Sequence, residues 1–244
     1  AKAHRVRKRR AAKGELVQMD ASRCDWLSDG SCPHLHAAID DATGEVLAAW
    51  FDLQETRVAY VELMLQMNQK YGLPKALYTD GRTVFQYDPK TKKKLSLEQE
   101  LLGLTESVPQ FTRACTALNI PIHITHVPQA KGRIERLWNT LQDRLPKDLR
   151  RNGIKTLEEA NAFLPTYFAH YNKSFAVKPR EDKPAFAAKI FTEELCVLFG
   201  HQEYRSLDNG LTFSYKGVIY ALPTHKNSKK ISLRPRDIVT VSDC

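Results

Sequence analysis

The sequence predicts an α/β fold: a mixed β-sheet with helices packed on its faces, followed by a small all-β domain. Three features carry that expectation. Strand-like segments come first in a run of three, between about Glu15 and Leu53, and can form a meander. Helical and strand patterns then alternate up to about Phe175, the mark of a layered α/β sheet. Beyond Tyr204 only short alternating segments remain, punctuated by Asn209-Gly210 and Lys216-Gly217. A chain of 244 residues has room for one substantial core and a small companion. Its 42% hydrophobic and 27% charged content is that of a globular protein, and no apolar run is long enough to span a bilayer.

In chain order, ELVQMDAS reads as a first strand ending near Asp20, with a polar stop at Ser22. After the loop RCDWLSDGS, the segments CPHLHAAID and EVLAAWFDL form a hairpin around the turn Asp40–Gly44. Thr56 can cap a helix whose Val58, Val61 and Leu65 repeat at helical spacing, and Gly72 and Pro74 end it. KALYTDG is a short strand that breaks off at Asp80-Gly81. Residues 86–110 are thin in apolar side chains and rich in lysine (Lys90, Lys92, Lys93, Lys94), and read as an insertion. FTRACTALNI reads as a helix and PIHITHV as a strand.

In GRIERLWNTLQDRL, the residues Ile134, Leu137, Trp138, Leu141 and Leu145 fall on one helical stripe. Glu135 stands at the edge of that stripe, in line with Lys131, Asn139 and Gln142. TLEEANAFLPTYFAHYN opens with a capping box, Thr156 and Glu159, and contains Pro165, which is expected to kink it. The implied division is a basic arm at 1–14, an α/β domain at 15–176, a proline-rich linker and short helix at 177–200, and a small β-barrel domain at 201–244.

Charge is concentrated. Lys2, Arg5, Arg7, Lys8, Arg9, Arg10 and Lys13 precede the first acid, Glu15, so the arm carries +7 of the net +9. A basic arm on a nearly balanced domain suggests a phosphate backbone as partner, with Arg7, Lys8, Arg9 and Arg10 as its densest part. Lys226, Lys229, Lys230, Arg234 and Arg236 form a second basic cluster in the small domain. Five cysteines, an odd number, read as free thiols in a cytosolic protein. Cys24, Cys32, His34 and His36 raise the question of zinc, but their spacing matches no usual zinc knuckle. The opening, Ala1 followed by a basic run, reads as part of a longer protein.

Asp20 on the first strand, Asp80 at the end of the fourth and Glu135 on a helix over the same sheet can meet where strand ends gather functional side chains. Crowded carboxylates repel unless a cation neutralises them, and hard oxygen ligands suit Mg²⁺ or Mn²⁺. Two such ions, about 3.5–4 Å apart, can serve an in-line displacement at phosphorus.

These residues carry a resemblance. LVQMDAS, IDDATGEVLAAWF, LYTDGRTVF, HVPQAKGRIERLWNTLQDRL and EEANAFLPTYFAHYN together resemble the retroviral-integrase-like DDE transposases of bacterial insertion sequences. The resemblance covers roughly Glu15 to Phe175 and implies a ribonuclease-H-like catalytic core with helices on both faces, followed by an SH3-like barrel. The 54 residues between Asp80 and Glu135 exceed the family's usual interval by about the length of the lysine-rich segment.

The resemblance further implies a polynucleotidyl transferase. Asp20, Asp80 and Glu135 would hold two Mg²⁺ or Mn²⁺ ions, and Lys131 and Arg133 would contact phosphate. Water would release a 3′-hydroxyl at a transposon end, and that hydroxyl would attack target DNA. Partners are then DNA and further copies of the chain, as a dimer or higher assembly, in a bacterial cytoplasm at the nucleoid. The competing readings are a purely hydrolytic nuclease or resolvase of the same fold and a non-catalytic DNA-binding relative.

Overall fold

The computed structural model describes residues 8–87, 108–125, 132–222 and 233–243. Most of the lysine-rich segment, together with Arg7, Lys131, Lys229 and Lys230, lies outside them. The described residues divide into two compact units, 8–192 and 193–243.

In the first unit the strands β1 (Val17–Arg23), β2 (His34–Asp40), β3 (Val46–Asp52), β4 (Leu77–Thr79) and β5 (Ile122–Ile124) form one sheet in the order β3-β2-β1-β4-β5. The meander β1–β2–β3 is antiparallel, whereas β1/β4 and β4/β5 are parallel, so the sheet is mixed as expected. The helices are α1 (Arg57–Lys70), α2 (Gln110–Ala117), α3 (Gly132–Arg151) and α4 (Leu157–Phe175). β1 continues to Arg23, which leaves Asp20 inside the strand rather than at its end.

Strand periodicity sorts the side chains onto two faces. Leu35, Ala37 and Ile39 of β2 pack with the α3 stripe Ile134, Leu137, Trp138, Leu141, Leu145 and Leu149, and with Ala160, Leu164 and Phe168 of α4. Each fully buried leucine of that stripe contributes about 1.5–3 kcal/mol of transfer free energy. On the other face His36 meets Tyr60 of α1 edge-on at 5.0 Å, and Tyr60 in turn meets Phe85 at 4.8 Å. Phe85 packs on Phe111 at 5.4 Å and accepts a 2.6 Å hydrogen bond from Thr112 Oγ1. The two ends of the lysine-rich segment are thereby brought together at the core.

The helix starts follow the sequence signals. Thr56 Oγ1 accepts from Ala59 N at 3.1 Å. The capping box on α4 is complete: Glu159 N donates to Thr156 Oγ1 and Thr156 N to Glu159 Oε2, each at 3.2 Å. α3 and α4 continue through Pro146 and Pro165.

β3 is an edge strand, and its outward backbone groups are matched by three primary amides. Asn172 Oδ1 and Nδ2 bond Val46 N and O, each at 2.9 Å. Gln66 does the same at Ala49 (3.2 and 3.3 Å) and Asn161 at Phe51 (2.7 and 3.1 Å). Asn161 and Asn172 lie three helical turns apart, roughly 16 Å, and Phe51 and Val46 are separated by about the same distance along an extended strand. The amides act as a surrogate strand that leaves no ladder for another chain to extend.

Two stretches read as separate tethers pack on this unit. Residues 8–14 lie against the β2–β3 turn, with Arg9 Nη1 donating to Ala42 O (3.2 Å) and Arg10 N to Asp41 Oδ2 (2.9 Å). Residues 177–190 run back across the arm and α1 as a strap. Glu181 N bonds Ala11 O, Ala185 N bonds Lys13 O, Ala187 N bonds Leu73 O, and Asn68 clasps Ile190 at both backbone groups. Gly14 and Gly72 make this approach possible. Both have positive φ, and a Cβ would stand 2.6 Å from the Phe186 ring at Gly14 and 2.1 Å from Ala187 O at Gly72. The basic arm from residue 8 and the start of the proline-rich segment therefore belong to the first unit.

The second unit comprises α5 (Thr192–Phe199) with β6 (His201–Ser206), β7 (Thr212–Tyr215), β8 (Val218–Ala221) and β9 (Ile238–Asp243). β6 pairs with β9 and β7 with β8, all antiparallel. Lys216 and Gly217, both at positive φ, make the tight turn of the β7–β8 hairpin. The described strands thus form two two-stranded sheets, and among them a closed barrel is not seen.

Candidate active site

The parallel pairing of β1 with β4 matches Val17 to Leu77 and Gln18 to Tyr78. The first and fourth strands are thus neighbours; Asp20 lies within β1 and Asp80 directly follows β4. Just past the strand end, Arg82 N donates to Asp80 Oδ1 (3.2 Å) in an Asx-type turn. Arg82 O accepts from Phe85 N and Gln86 N, and buried Phe85 anchors this loop in the core.

α3 keeps step with β1. Ile134 N donates to Gln18 Oε1 (3.4 Å), Trp138 Nε1 to Asp20 Oδ2 (3.0 Å) and Gln142 Nε2 to Ser22 Oγ (2.9 Å). Four helical residues and two strand residues both advance about 6–7 Å, so the bonds recur in register. Trp138 was legible as a member of the apolar stripe. A buried indole also needs a partner for its N–H, and Asp20 supplies it.

A buried network anchors the first turn of α3. Asp41, fully buried at the β2–β3 turn, accepts from Gln18 Nε2, from Arg133 Nη1 (both 2.8 Å) and from Arg10 N. Gln18 thus links Asp41 to the α3 backbone. This corrects the assignment of Arg133 as a phosphate contact: it is 9% exposed and ion-paired inside the fold. Arg9 and Arg10 are likewise engaged with their own domain, Arg10 also pairing with Glu15 (3.4 Å), while Lys8 is exposed.

Glu135 is in the first turn of α3 and is exposed. Among the described residues no group of three or more His, Cys, Asp or Glu side chains is gathered as a metal cage. The same holds at Cys24, Cys32, His34 and His36, where the two thiols are free. His36 is a core residue facing Trp50 O at 3.3 Å, and burial lowers its pKa to about 4.

A further carboxylate, Glu55, stands at the β3–α1 junction beside the helix cap Thr56. Its Oε1 accepts from buried Tyr60 Oη at 2.8 Å. Arg82 joins it to the aspartate, with Nη1 3.4 Å from Glu55 Oε2 and Nε 3.2 Å from Asp80 Oδ2. Burial pushes the Glu55 carboxyl upward; Tyr60 and Arg82 pull it back, and the charges of Asp80 and Asp20 push it up again. Its position at a strand end was the signal available in the sequence. The carboxylate oxygens of Asp20 and Asp80 are hard donors of the kind that Mg²⁺ or Mn²⁺ takes, and Arg82 places a positive charge between Asp80 and Glu55.

The chain is similar to known proteins in sequence and in fold. The transposase for insertion sequence IS1202 of Streptococcus pneumoniae is 39% identical over 233 residues, covering 96% of this chain and 48% of that protein. A Sinorhizobium fredii (strain NBRC 101917 / NGR234) protein, y4bF, provisionally named a transposase, is 38% identical over 215 residues, 87% of this chain and 45% of its own length. The chain therefore spans about half the length of the curated relatives it matches. No family model matches it. In fold it is similar to a chain of the simian T-cell lymphotropic virus intasome, solved with PP2A regulatory subunit B56 gamma, with a TM-score of 0.50 at 17% identity over 89% of this chain and 70% of that one. By sequence the chain is similar to insertion-sequence transposases over about half of their length, and its fold is similar to that of the viral intasome protein.

Proposed function

We propose that the chain is the catalytic part of a DNA transposase that cleaves at transposon ends and transfers the resulting 3′-hydroxyl into target DNA. The observation that supports this reading is the parallel pairing of β1, which carries Asp20, with β4, which Asp80 follows, together with the hydrogen bond to Asp20 from Trp138 of the helix that bears Glu135. Divalent ions held by Asp20, Asp80 and Glu135 would supply Lewis-acid stabilisation of the attacking and leaving oxygens. The chain's own residues orient the donors: Trp138 fixes the Asp20 carboxylate, the Arg82 turn fixes Asp80, and the Asp41–Gln18–Arg133 network seats the start of α3.

In the first step a water oxygen bonds to phosphorus and the 3′-oxygen leaves as a hydroxyl. In the second, that hydroxyl displaces a target 3′-oxygen, so one phosphodiester replaces another and no nucleotide cofactor is consumed. Exposed Lys8 and the basic residues outside the described segments are the candidates for phosphate contact. The test offers a pre-cut end of the element with target plasmid. Asp20→Asn, Asp80→Asn and Glu135→Gln should each lose at least about a hundredfold in joined product, as removal of a metal ligand does. Near-normal joining in any one removes that residue from the site, and cleavage without joining by the wild type returns the hydrolytic nuclease reading.

A further inference from the structure

We infer that the arm (residues 8–14) and the strap (residues 177–190) form one cationic ridge that takes the phosphate backbone of duplex DNA, with Arg180, Lys183 and Lys189 of the strap acting beside Lys8. This rests on the DNA-acting reading proposed above.

Arg9 and Arg180 stand 171 positions apart in the chain, yet Arg180 Nη2 donates to Arg9 O at 3.2 Å. Backbone bonds fix this neighbourhood. Ala12 bridges Glu181 in parallel, Glu181 N donates to Ala11 O (3.1 Å) and Ala185 N to Lys13 O (2.7 Å). Together the two stretches hold eight cations and two acids, a net +6 out of the chain's +9. Charge that the sequence spreads over two remote segments is therefore gathered in one place.

Like charges drawn together repel, and the fold cancels only some of them. Arg10 pairs with Glu15 (3.4 Å), Lys178 with Asp182 (3.2 Å), and Lys13 with Glu45. Three others are held by neutral oxygens. Arg9 Nη1 donates to Ala42 O (3.2 Å), Arg180 Nη2 to Arg9 O, and Lys189 Nζ to Gln69 O (2.7 Å). A carbonyl orients a cation without neutralising it, whereas a carboxylate does both. The carboxylates of the adjoining β2–β3 turn, Asp40 and Asp41, are buried and turned to Gly14 N, Thr43, Gln18 and Arg133.

Lys8, Arg180, Lys183 and Lys189 are all exposed. Cations held in place and left uncompensated suit an extended, repeating anion, and a phosphate backbone is one. The close seat of the strap on Gly14 and Gly72 fixes the attachment points of these side chains before DNA arrives, so little backbone order is lost on binding.

Anisotropy titrations of a labelled duplex of arbitrary sequence, between about 50 and 200 mM monovalent salt, test this. Each phosphate contact contributes about 0.9 to the slope of log affinity against log salt. Arg180→Gln with Lys183→Gln should lower that slope by about two, so that a wild-type loss on the order of a hundredfold shrinks to about tenfold. Arg180→Lys with Lys183→Arg keeps both charges and should keep the slope. Glu181→Gln removes an acid from the ridge and should tighten binding about two- to fivefold, a gain that a damaged fold would not produce. Absence of any salt-dependent binding by the wild type removes the DNA reading itself. A steep wild-type slope that the double Gln variant reproduces, or a Glu181→Gln variant no tighter than the wild type, leaves that reading standing and overturns the ridge. So does a double Gln variant that loses affinity for phosphatidylserine vesicles while keeping its affinity for DNA.

Discussion

Asp41 shows how one side chain can decide where a helix begins. It is fully buried and receives the arm through Arg10 N, β1 through Gln18 and α3 through Arg133. Removing it strands a buried guanidinium, which costs far more than the pair gains when intact. Asp41→Ala should therefore destabilise the fold by about 3–5 kcal/mol in urea denaturation, and Asp41→Asn with Arg133→Met should recover a large part of that. His36 makes a second prediction at this scale. Burial lowers its folded pKa to about 4, from an ordinary value of 6.5, with Asp52 raising it and His34 lowering it by smaller amounts. Between those values the unfolded chain binds the proton and the folded one does not, so stability is lost as pH falls from about 6.5 toward 4. The loss attributable to His36 between pH 7 and pH 5 is about 2 kcal/mol. A His36→Phe variant should show a shallower pH dependence of melting over that window; an unchanged slope would refute the assignment.

At the scale of elements, α3 and β3 are fixed by side chains that reach across. α3 owes its depth to its leucine stripe and its register to three polar bonds with β1. β3 owes its isolation to Asn161, Gln66 and Asn172, each satisfying an N–H and a C=O on the open edge. Asn161→Ala or Asn172→Ala should cost about 1–3 kcal/mol, the penalty for unsatisfied backbone groups. The same variants should scatter more light on heating, because an uncovered edge is a template for pairing. Stability and scattering equal to the wild type would show that water replaces the amides without loss.

For the molecule as a whole, the proposal requires DNA. The chain carries +9. Affinity for duplex should fall on the order of a hundredfold between about 50 and 200 mM salt, as for about four neutralised phosphates. A flat salt response in a filter-binding or anisotropy titration would sink the phosphate-backbone reading. Paired-end cleavage implies at least two copies on DNA, and the amide-covered β3 edge directs association elsewhere than sheet extension. A protein that stays monomeric by light scattering with and without DNA contradicts that. No helix of the described residues is long and apolar enough to cross a membrane.

The strand meander, the alternation that follows it, the helix caps at Thr56 and Thr156, and Asp20 and Asp80 as strand residues were legible locally, because period and capping are properties of neighbouring residues. The α3 stripe was legible for the same reason. What local pattern could not reveal was partnership across the fold. Arg133 reads as a surface cation until Asp41, 92 residues earlier, is seen to hold it. Residues 177–190 read as a linker until Gly14 and Gly72 are seen to admit them, and Glu55 reads as a residue before a cap until Arg82 joins it to Asp80. Sequence determined the elements and which carboxylates they carry. Tertiary structure decided which charges are spent inside the fold and which stand at the site, because burial and distance between remote residues set the energy of a charge.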